Sequence, residues 1–327
     1  MFRNNKQKNQ MININDNFDG NKIAVLIPCH NEELTIAKVV HEFNSFLPEA
    51  TVYVFNNASI DKTREVAINA GAIVFDEPNK GKGNVTKRMF ADIEADLYII
   101  IDGDDTYEVS KCRHMVEKLI NNNLDMVVAI RKAEDSAKAY RWGHVFGNWL
   151  LTRSVSFLFG RGFTDMLSGY RVMSRRFIKS FPLGSKGFEI ETEITIHALQ
   201  VSASYEEIET KYNSRPEGSE SKLSTFGDGY RILKMILLLF KEEKPFQFFG
   251  FFSLFFFIFS ITLFIPIFIN FIDTGMVPRL PTAILSTSLM LLSFLSLISG
   301  LILDSISRSR REFKRLIYLS YPSVRIK

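Results

Sequence analysis

Two stretches near the C-terminus, residues 245–272 and residues 280–303, carry no charged side chain. Each is long enough to cross about 30 Å of hydrocarbon as a helix. In hydrocarbon only a helix or a closed barrel satisfies its own backbone polar groups. The first run is rich in phenylalanine, and its Gly250 and Pro266 do not forbid a span. The connector, residues 273–279, is too short for a domain, so an antiparallel helical hairpin is expected. Lys241 and Lys244 precede the first run, and Arg308, Arg310, Arg311, Lys314 and Arg315 follow the second. The positive-inside rule puts both flanks in the cytoplasm. The competing form, two buried helices of a large soluble fold, fits the length and the phenylalanines less well.

The hairpin distorts whole-chain averages. The 327 residues are 46% hydrophobic with a net charge of +4, but residues 304–327 hold seven Lys/Arg and two acidic residues, a net +5. The remainder therefore sums to −1, which argues against a domain built to coat nucleic acid. A basic patch beside an anionic membrane fits better. Cys29 and Cys112 form no CxxC pattern, so neither a disulfide framework nor a zinc site is indicated. The polar N-terminus lacks the apolar core of a signal peptide, so the large domain is expected to stay in the cytoplasm.

Ahead of the hairpin, strand and helix patterns alternate. Strands are expected at 22–28, 51–55, 72–75, 97–101 and 125–129. Helices are expected through Ile36, Val39, Val40 and Phe43 and over about 61–70, with another after the glycine loop at 79–84. This describes an α/β domain with a mostly parallel sheet and helices on both faces. Ligands of such sheets collect at the C-terminal strand edge. Residues 131–163 read as less regular, either an amphipathic membrane-contacting segment or a helix packed on the domain. Residues 211–230 read as a Gly/Ser-rich loop, and residues 230–244 as a helix.

The sharpest chemical signal is the apolar run 97–101 ending in Asp102-Gly103-Asp104-Asp105. Three carboxylates crowded at a strand end repel one another unless a cation compensates. Their oxygens suit Mg²⁺ or Mn²⁺ and, through the metal, phosphate. The plain alternative is an acidic turn capping the next helix. Lys80-Gly81-Lys82-Gly83-Asn84 can present backbone N–H groups and Lys82 to a phosphate or ribose, or simply join a strand to a helix. It is not a Walker loop.

These segments resemble membrane-associated family 2 glycosyltransferases of the polyprenyl-phosphate sugar type, similar to dolichol-phosphate mannose synthases and bacterial undecaprenyl-phosphate glucosyltransferases. The likeness covers about residues 22–245, and the two-span tail matches the bacterial branch. It implies a GT-A fold, a nucleotide sugar donor, a Mg²⁺ or Mn²⁺ cofactor and inverting transfer to a polyprenyl phosphate at the bilayer. Ile27-Pro28-Cys29-His30-Asn31-Glu32-Glu33 resembles the loop at the base and ribose, which makes Pro28, Asn31 and Glu32 nucleotide-site candidates. Glu32 can equally cap a helix. Where the family has an acidic pair, this chain has Asn56-Asn57; Asn57 can still bond a base edge. Asp102-Gly103-Asp104 matches the family's DxD, with Asp104 as metal ligand and Asp102 on metal or ribose. Asp165-Met166-Leu167-Ser168-Gly169-Tyr170-Arg171 resembles the catalytic segment. It implies Asp165 as base or acceptor-orienting group and Arg171 as its partner or a phosphate ligand. Glu191 is a further candidate, with exposure or helix capping as its alternative. Arg215, Gly218, Ser219, Ser221 and Lys222 match a loop that can close over diphosphate. Arg131, Lys132, Lys138 and Arg141 can meet lipid phosphate or membrane lipid.

The expected organisation is therefore a flexible arm (1–20), a cytoplasmic GT-A catalytic domain (21–229) and a juxtamembrane amphipathic helix (230–244). A transmembrane hairpin (245–303) and a basic cytoplasmic tail (304–327) follow. The implied location is the inner, or plasma, membrane, multi-pass, with both termini cytoplasmic and a homo-oligomer left open. Processive polysaccharide synthases are the near rival. They need a later [QR]xxRW motif, whereas Arg141-Trp142 precedes Asp165 and Lys138 stands where Gln or Arg is required. Glycolipid transferases, sugar-phosphate nucleotidyltransferases and a non-catalytic membrane scaffold are the remaining alternatives.

Overall fold

The structure, a computed structural model, describes residues 18–133, 142–160, 162–182, 190–213 and 225–324. Seven strands form one sheet: β1 (Ile23–Cys29), β2 (Thr51–Asn56), β3 (Ile73–Asp76), β4 (Leu97–Ile100), β5 (Met126–Ala133), β6 (Arg171–Ser174) and β7 (Tyr205–Tyr212). Their order is β3-β2-β1-β4-β6-β5-β7. All neighbours pair parallel except β6, which runs antiparallel to both β4 and β5. Among the described residues the helices are α1 (Ile36–Phe46), α2 (Thr63–Asn69), α3 (Lys82–Asp92), α4 (Cys112–Asn121) and α5 (Trp142–Phe159). They continue as α6 (Arg175–Ser180), α7 (Ile190–Val201), α8 (Thr225–Glu243), α9 (Pro245–Thr274) and α10 (Leu280–Ser320).

Every residue of β1 is buried, as a strand covered on both faces requires. Alternate side chains feed two cores. Ile23, Val25 and Ile27 pack with Val39, Phe43 and Met115 of α1 and α4. Ala24 and Leu26 face the side covered by Met89 of α3, Phe177 of α6 and Ile194 of α7. The reversed strand β6 matters most for the site. Its register sets Arg171 opposite Ile100 and opposite Val128. The segment leading into β6, residues 165–170, therefore arrives at the same edge where β4 delivers Asp102 and where β5 continues to Arg131.

Three segments depart from the sequence reading. Strand β5 runs on past Ala129, so Arg131 and Lys132 sit on a strand paired with β7 rather than in an irregular stretch. Helix α8 begins inside the stretch expected to be a loop, whereas α5 is a helix within 131–163, one of the two forms expected there. The basic segment after the second apolar run does not separate as a tail. It continues α10 to Ser320 and packs on α6 and α7.

Helices α9 and α10 are both long and apolar enough to cross a membrane, and only 17% of each apolar window is buried. A core helix of a soluble protein would be mostly covered; these expose Phe251, Phe255, Leu292 and Leu295. They pack on each other along a polar seam. Ser260 donates to the Ser286 carbonyl at 2.8 Å, Ser293 to the Ser253 carbonyl at 2.9 Å, and Ser296 to the Phe249 carbonyl at 2.9 Å. Small side chains let the helices approach closely: a Cβ on Gly300 would stand 3.1 Å from that of Phe249.

Candidate active site

After Ile101 the chain turns through Gly103, whose carbonyl accepts the Thr35 hydroxyl at 2.7 Å. A Cβ there would stand 2.5 Å from Glu32 Oε2 and 2.6 Å from Cys29 Sγ, so any other residue would have to displace those side chains. Asp104 is 3% exposed and accepts the Thr106 hydroxyl at 2.6 Å. Asp105 turns away in a left-handed conformation, φ 57°, and pairs with Lys38 at 2.7 Å. It takes no part in the carboxylate cluster.

Lys82 lies 2.5 Å from Asp102 Oδ1 and 2.5 Å from Glu191 Oε1. Burial opposes its charge, but the two carboxylates outweigh that and hold its pKa above the usual lysine range. The loop before Lys82 is shaped by Asn57. Its amide donates to the carbonyls of Glu77 at 3.0 Å and Asn79 at 2.8 Å, and its oxygen accepts the Gly81 N–H at 2.7 Å. Gly81 has φ 129°, a conformation natural only to glycine. Asn57 was expected to read a base edge; here both its donors are committed to the loop that carries Lys82.

Asn31 also ties loops together. Its side-chain oxygen accepts the Ile60 N–H at 2.9 Å and its own N–H donates to Ser59 Oγ at 3.0 Å. The Glu32 N–H donates to Thr63 Oγ1 at 2.8 Å. Pro28 is buried at the end of β1, in register with Phe55.

On the far side of the Asp102 cluster, Asp165 receives a bidentate pair from Arg131, Nε to Oδ2 and Nη2 to Oδ1, both 2.7 Å. Burial alone would raise the Asp165 pKa, but the Arg131 hydrogen bonds and charge bring it below the usual aspartate range. A carboxylate so stabilised is a weak base and a good orienting group. Between the two pairs runs Gly169, whose N–H donates to Tyr107 Oη at 2.8 Å. A Cβ on Gly169 would stand 2.4 Å from Asp102 Oδ2.

Arg171 does neither of the things expected of it. It is 1% exposed and its guanidinium donates to Ser168 O at 3.0 Å, Met166 O at 2.7 Å and Thr195 Oγ1 at 2.9 Å. Burial lowers its pKa to about 10, so it remains charged at neutral pH. It clamps the carbonyls of the 165–169 segment, and the partner of Asp165 is Arg131. Glu191, for which exposure or helix capping was the alternative, is 7% exposed, lies in the first turn of α7 and pairs with Lys82. Arg215, Lys222, Lys138 and Arg141 lie outside the described residues.

Among the described residues no three His, Cys, Asp or Glu side chains converge as a metal cage. Two carboxylates at a strand end, Asp102 and Asp104, are the donor set available. That number suits Mg²⁺ or Mn²⁺, which take few protein ligands when substrate phosphates and water complete the shell.

A family model described as glycosyl transferase family 2 matches residues 24–181. Glycosyltransferase AglJ of Haloferax volcanii is 33% identical over 229 residues, 70% of this chain and 75% of that protein. The chain belongs to glycosyl transferase family 2. A second relative, dolichyl-phosphate hexose transferase of the same organism, is 25% identical over 68% of this chain and 95% of its own length. Among solved structures, glucosyl-3-phosphoglycerate synthase of Mycobacterium tuberculosis, crystallised with Mn²⁺, uridine-diphosphate-glucose and glycerol 3-phosphate, superposes with a TM-score of 0.54. It is 20% identical, and the match covers 67% of this chain and 80% of the other. That likeness is one of fold, a GT-A-like sheet with helices on both faces.

Proposed function

We propose that this glycosyltransferase moves a sugar from a nucleoside diphosphate sugar, a UDP-sugar by preference, to a polyprenyl phosphate at the cytoplasmic face of a membrane. The observation that carries the reading is a family 2 carboxylate cluster on a domain continuous with two exposed apolar helices. An acceptor whose polyprenyl tail stays in the bilayer needs its transferase held at that surface. The name of the dolichyl-phosphate relative supports the acceptor class, and the uridine-diphosphate-glucose complex of the structural relative supports the donor.

Asp104 and Asp102 would hold a Mg²⁺ or Mn²⁺ ion, which supplies charge neutralisation of the departing diphosphate. Lys82 adds positive charge on the same side, and Arg215 and Lys222 are proposed to close over the diphosphate. Asn31, Glu32, Pro28 and Asn57 shape the two loops that would border the base and ribose. On the acceptor side, Asp165 stays ionised and held by Arg131. A phosphate monoester is already an anionic nucleophile, so Asp165 orients it or takes its remaining proton rather than creating the nucleophile. Attack from the face opposite the nucleotide inverts the anomeric carbon. Both flanks of the hairpin are assigned to the cytoplasm, with its short connector outside.

A second reading, transfer to a glycolipid or another phosphorylated acceptor, is favoured by the fold likeness to a glucosyl-3-phosphoglycerate synthase. Both readings share the donor site. A panel of nucleotide sugars offered with a short polyprenyl phosphate, read by product mass, separates them. The expected product is the lipid phosphate plus one sugar. Lipid phosphate left unmodified, while a glycolipid or small phosphorylated acceptor gains sugar, rejects the first reading and keeps the second.

A further inference from the structure

Lys82 is placed between two carboxylates from distant parts of the chain. Asp102 comes from the end of β4 and Glu191 from the first turn of α7, each 2.5 Å from the ammonium. All three side chains are largely covered: 14% of Lys82, 26% of Asp102 and 10% of Glu191 is exposed. In such surroundings charges interact far more strongly than in water. The trio sums to −1. The other oxygen, Oδ2, lies on the Gly169 side, where an added Cβ would stand 2.4 Å from it.

A divalent cation drawn to Asp102 meets the Lys82 ammonium on the same carboxylate. The cost is removed only if Lys82 has somewhere to go. Glu191 provides one anchor that does not move with Asp102, and an incoming diphosphate provides a second. We propose that Lys82 is a movable counter-ion of the donor site: it shields Asp102 when no donor is present and passes to Glu191 and the diphosphate when donor and metal bind, so that metal and nucleotide bind well only together. This rests on the donor site proposed above, and it makes Glu191 a positioning residue that acts through Lys82. Linkage requires the effect to be reciprocal, with UDP tightening metal binding by the same factor as metal tightens UDP.

The test uses the full-length protein in detergent. Mn²⁺ is titrated alone and with saturating UDP, and free Mn²⁺ is read from its paramagnetic resonance signal, with no turnover involved. In the unsubstituted protein UDP should tighten Mn²⁺ binding about tenfold or more, within the usual range of coupling between sites. Lys82→Met should tighten Mn²⁺ binding in the absence of UDP and shrink the coupling, each by about tenfold. Glu191→Gln should leave Lys82 on Asp102 and weaken Mn²⁺ binding in the presence of UDP several-fold. Unchanged or weaker binding of Mn²⁺ alone to Lys82→Met overturns the proposal. If that variant does not fold, Glu191→Gln decides alone, and unchanged or tighter Mn²⁺ binding with UDP overturns it. An unsubstituted protein that binds neither Mn²⁺ nor UDP, singly or together, overturns the donor site itself, an outcome distinct from the failure of the counter-ion.

Discussion

Asp104→Asn keeps the shape of the β4 turn but removes a charge that only a cation at this edge would require. Sugar transfer under saturating Mn²⁺ should fall by at least roughly a hundredfold, on the order of 3 kcal/mol of lost transition-state stabilisation. Near-normal turnover in a folded Asp104→Asn protein would contradict its role. Gly169→Ala acts by a different route. The added methyl would stand 2.4 Å from Asp102 Oδ2 and push that carboxylate away from Lys82. Turnover and Mn²⁺-dependent UDP binding should both drop about tenfold while the melting temperature changes little. A variant with unaltered UDP binding would show that the Asp102 position is not critical. The Asp165 pKa is depressed through Arg131, so its ion pair contributes fully above the unfolded aspartate pKa of about 3.9 and is lost as pH falls through the lower folded value. Arg131→Met should raise the Asp165 pKa and move the acid limb of the pH–rate profile to higher pH. An acid limb that does not move would sever Asp165 from the reaction.

The residues differ in how far a linear reading could reach them. Asp102 and Asp104 declare themselves because an apolar strand ends in carboxylates, a contrast visible in adjacent letters. Glu191 does not, since its meaning depends on Lys82, which reaches it only after α3 and α7 pack on the same face of the sheet. Arg171 misleads for a related reason. An arginine in a catalytic-looking motif reads as a phosphate ligand until the fold turns three acceptors, two of them main-chain carbonyls, onto it. Arg131 was visible as a basic residue, but only the extension of β5 and the reversal of β6 bring it to Asp165.

At the scale of elements, the alternation of β1, β2, β3 and β4 with α1, α2 and α3 is local and periodic, and it was legible. In the second half of the sheet only β5 was, through the run 125–129. Strands β6 and β7 are short or charged, with Tyr205–Tyr212 reading YEEIETKY, because one lies buried among neighbours and the other at the sheet edge. Nor did the basic charge after the second span disclose that α10 would dock. There Asp125, 1% exposed, accepts Arg176 through two bonds of 2.5 and 2.7 Å and also the hydroxyl of Tyr318 from α10. The Arg176 guanidinium stacks 4.6 Å from the Tyr318 ring. Tyr318→Phe should cost about 1.5–3 kcal/mol, the range for a hydrogen bond to a charged group, measured by denaturant unfolding of the full-length protein in micelles. An unchanged midpoint would mean that the contact adds nothing. Burial raises the Asp125 pKa, but Arg176 and Tyr318 bring it below the usual range. Its contribution is therefore present above about pH 4 and fades as pH falls further. Asp125→Asn should be less stable at neutral pH and lose less on acidification.

For the whole molecule, helix α8 leads into α9 across Lys244 alone, and α10 returns from the hairpin to the base of the sheet. The α/β domain is thereby held by two connections to the hairpin rather than by one tether. The proposed orientation, with both flanks cytoplasmic, predicts that a cysteine placed at Gly275, in a protein lacking Cys29 and Cys112, reacts with an impermeant reagent from outside. One at Lys314 should not, and the reverse pattern would overturn the orientation. The central claim is that one sugar passes to one lipid phosphate. The most direct measurement is the amount of nucleoside diphosphate released when a limiting quantity of polyprenyl phosphate is consumed in the presence of excess sugar donor. Release should stop at one nucleoside diphosphate per lipid phosphate, with a single product mass. Release that continues past that point into a ladder of masses, or that proceeds without lipid phosphate onto another acceptor, would contradict it.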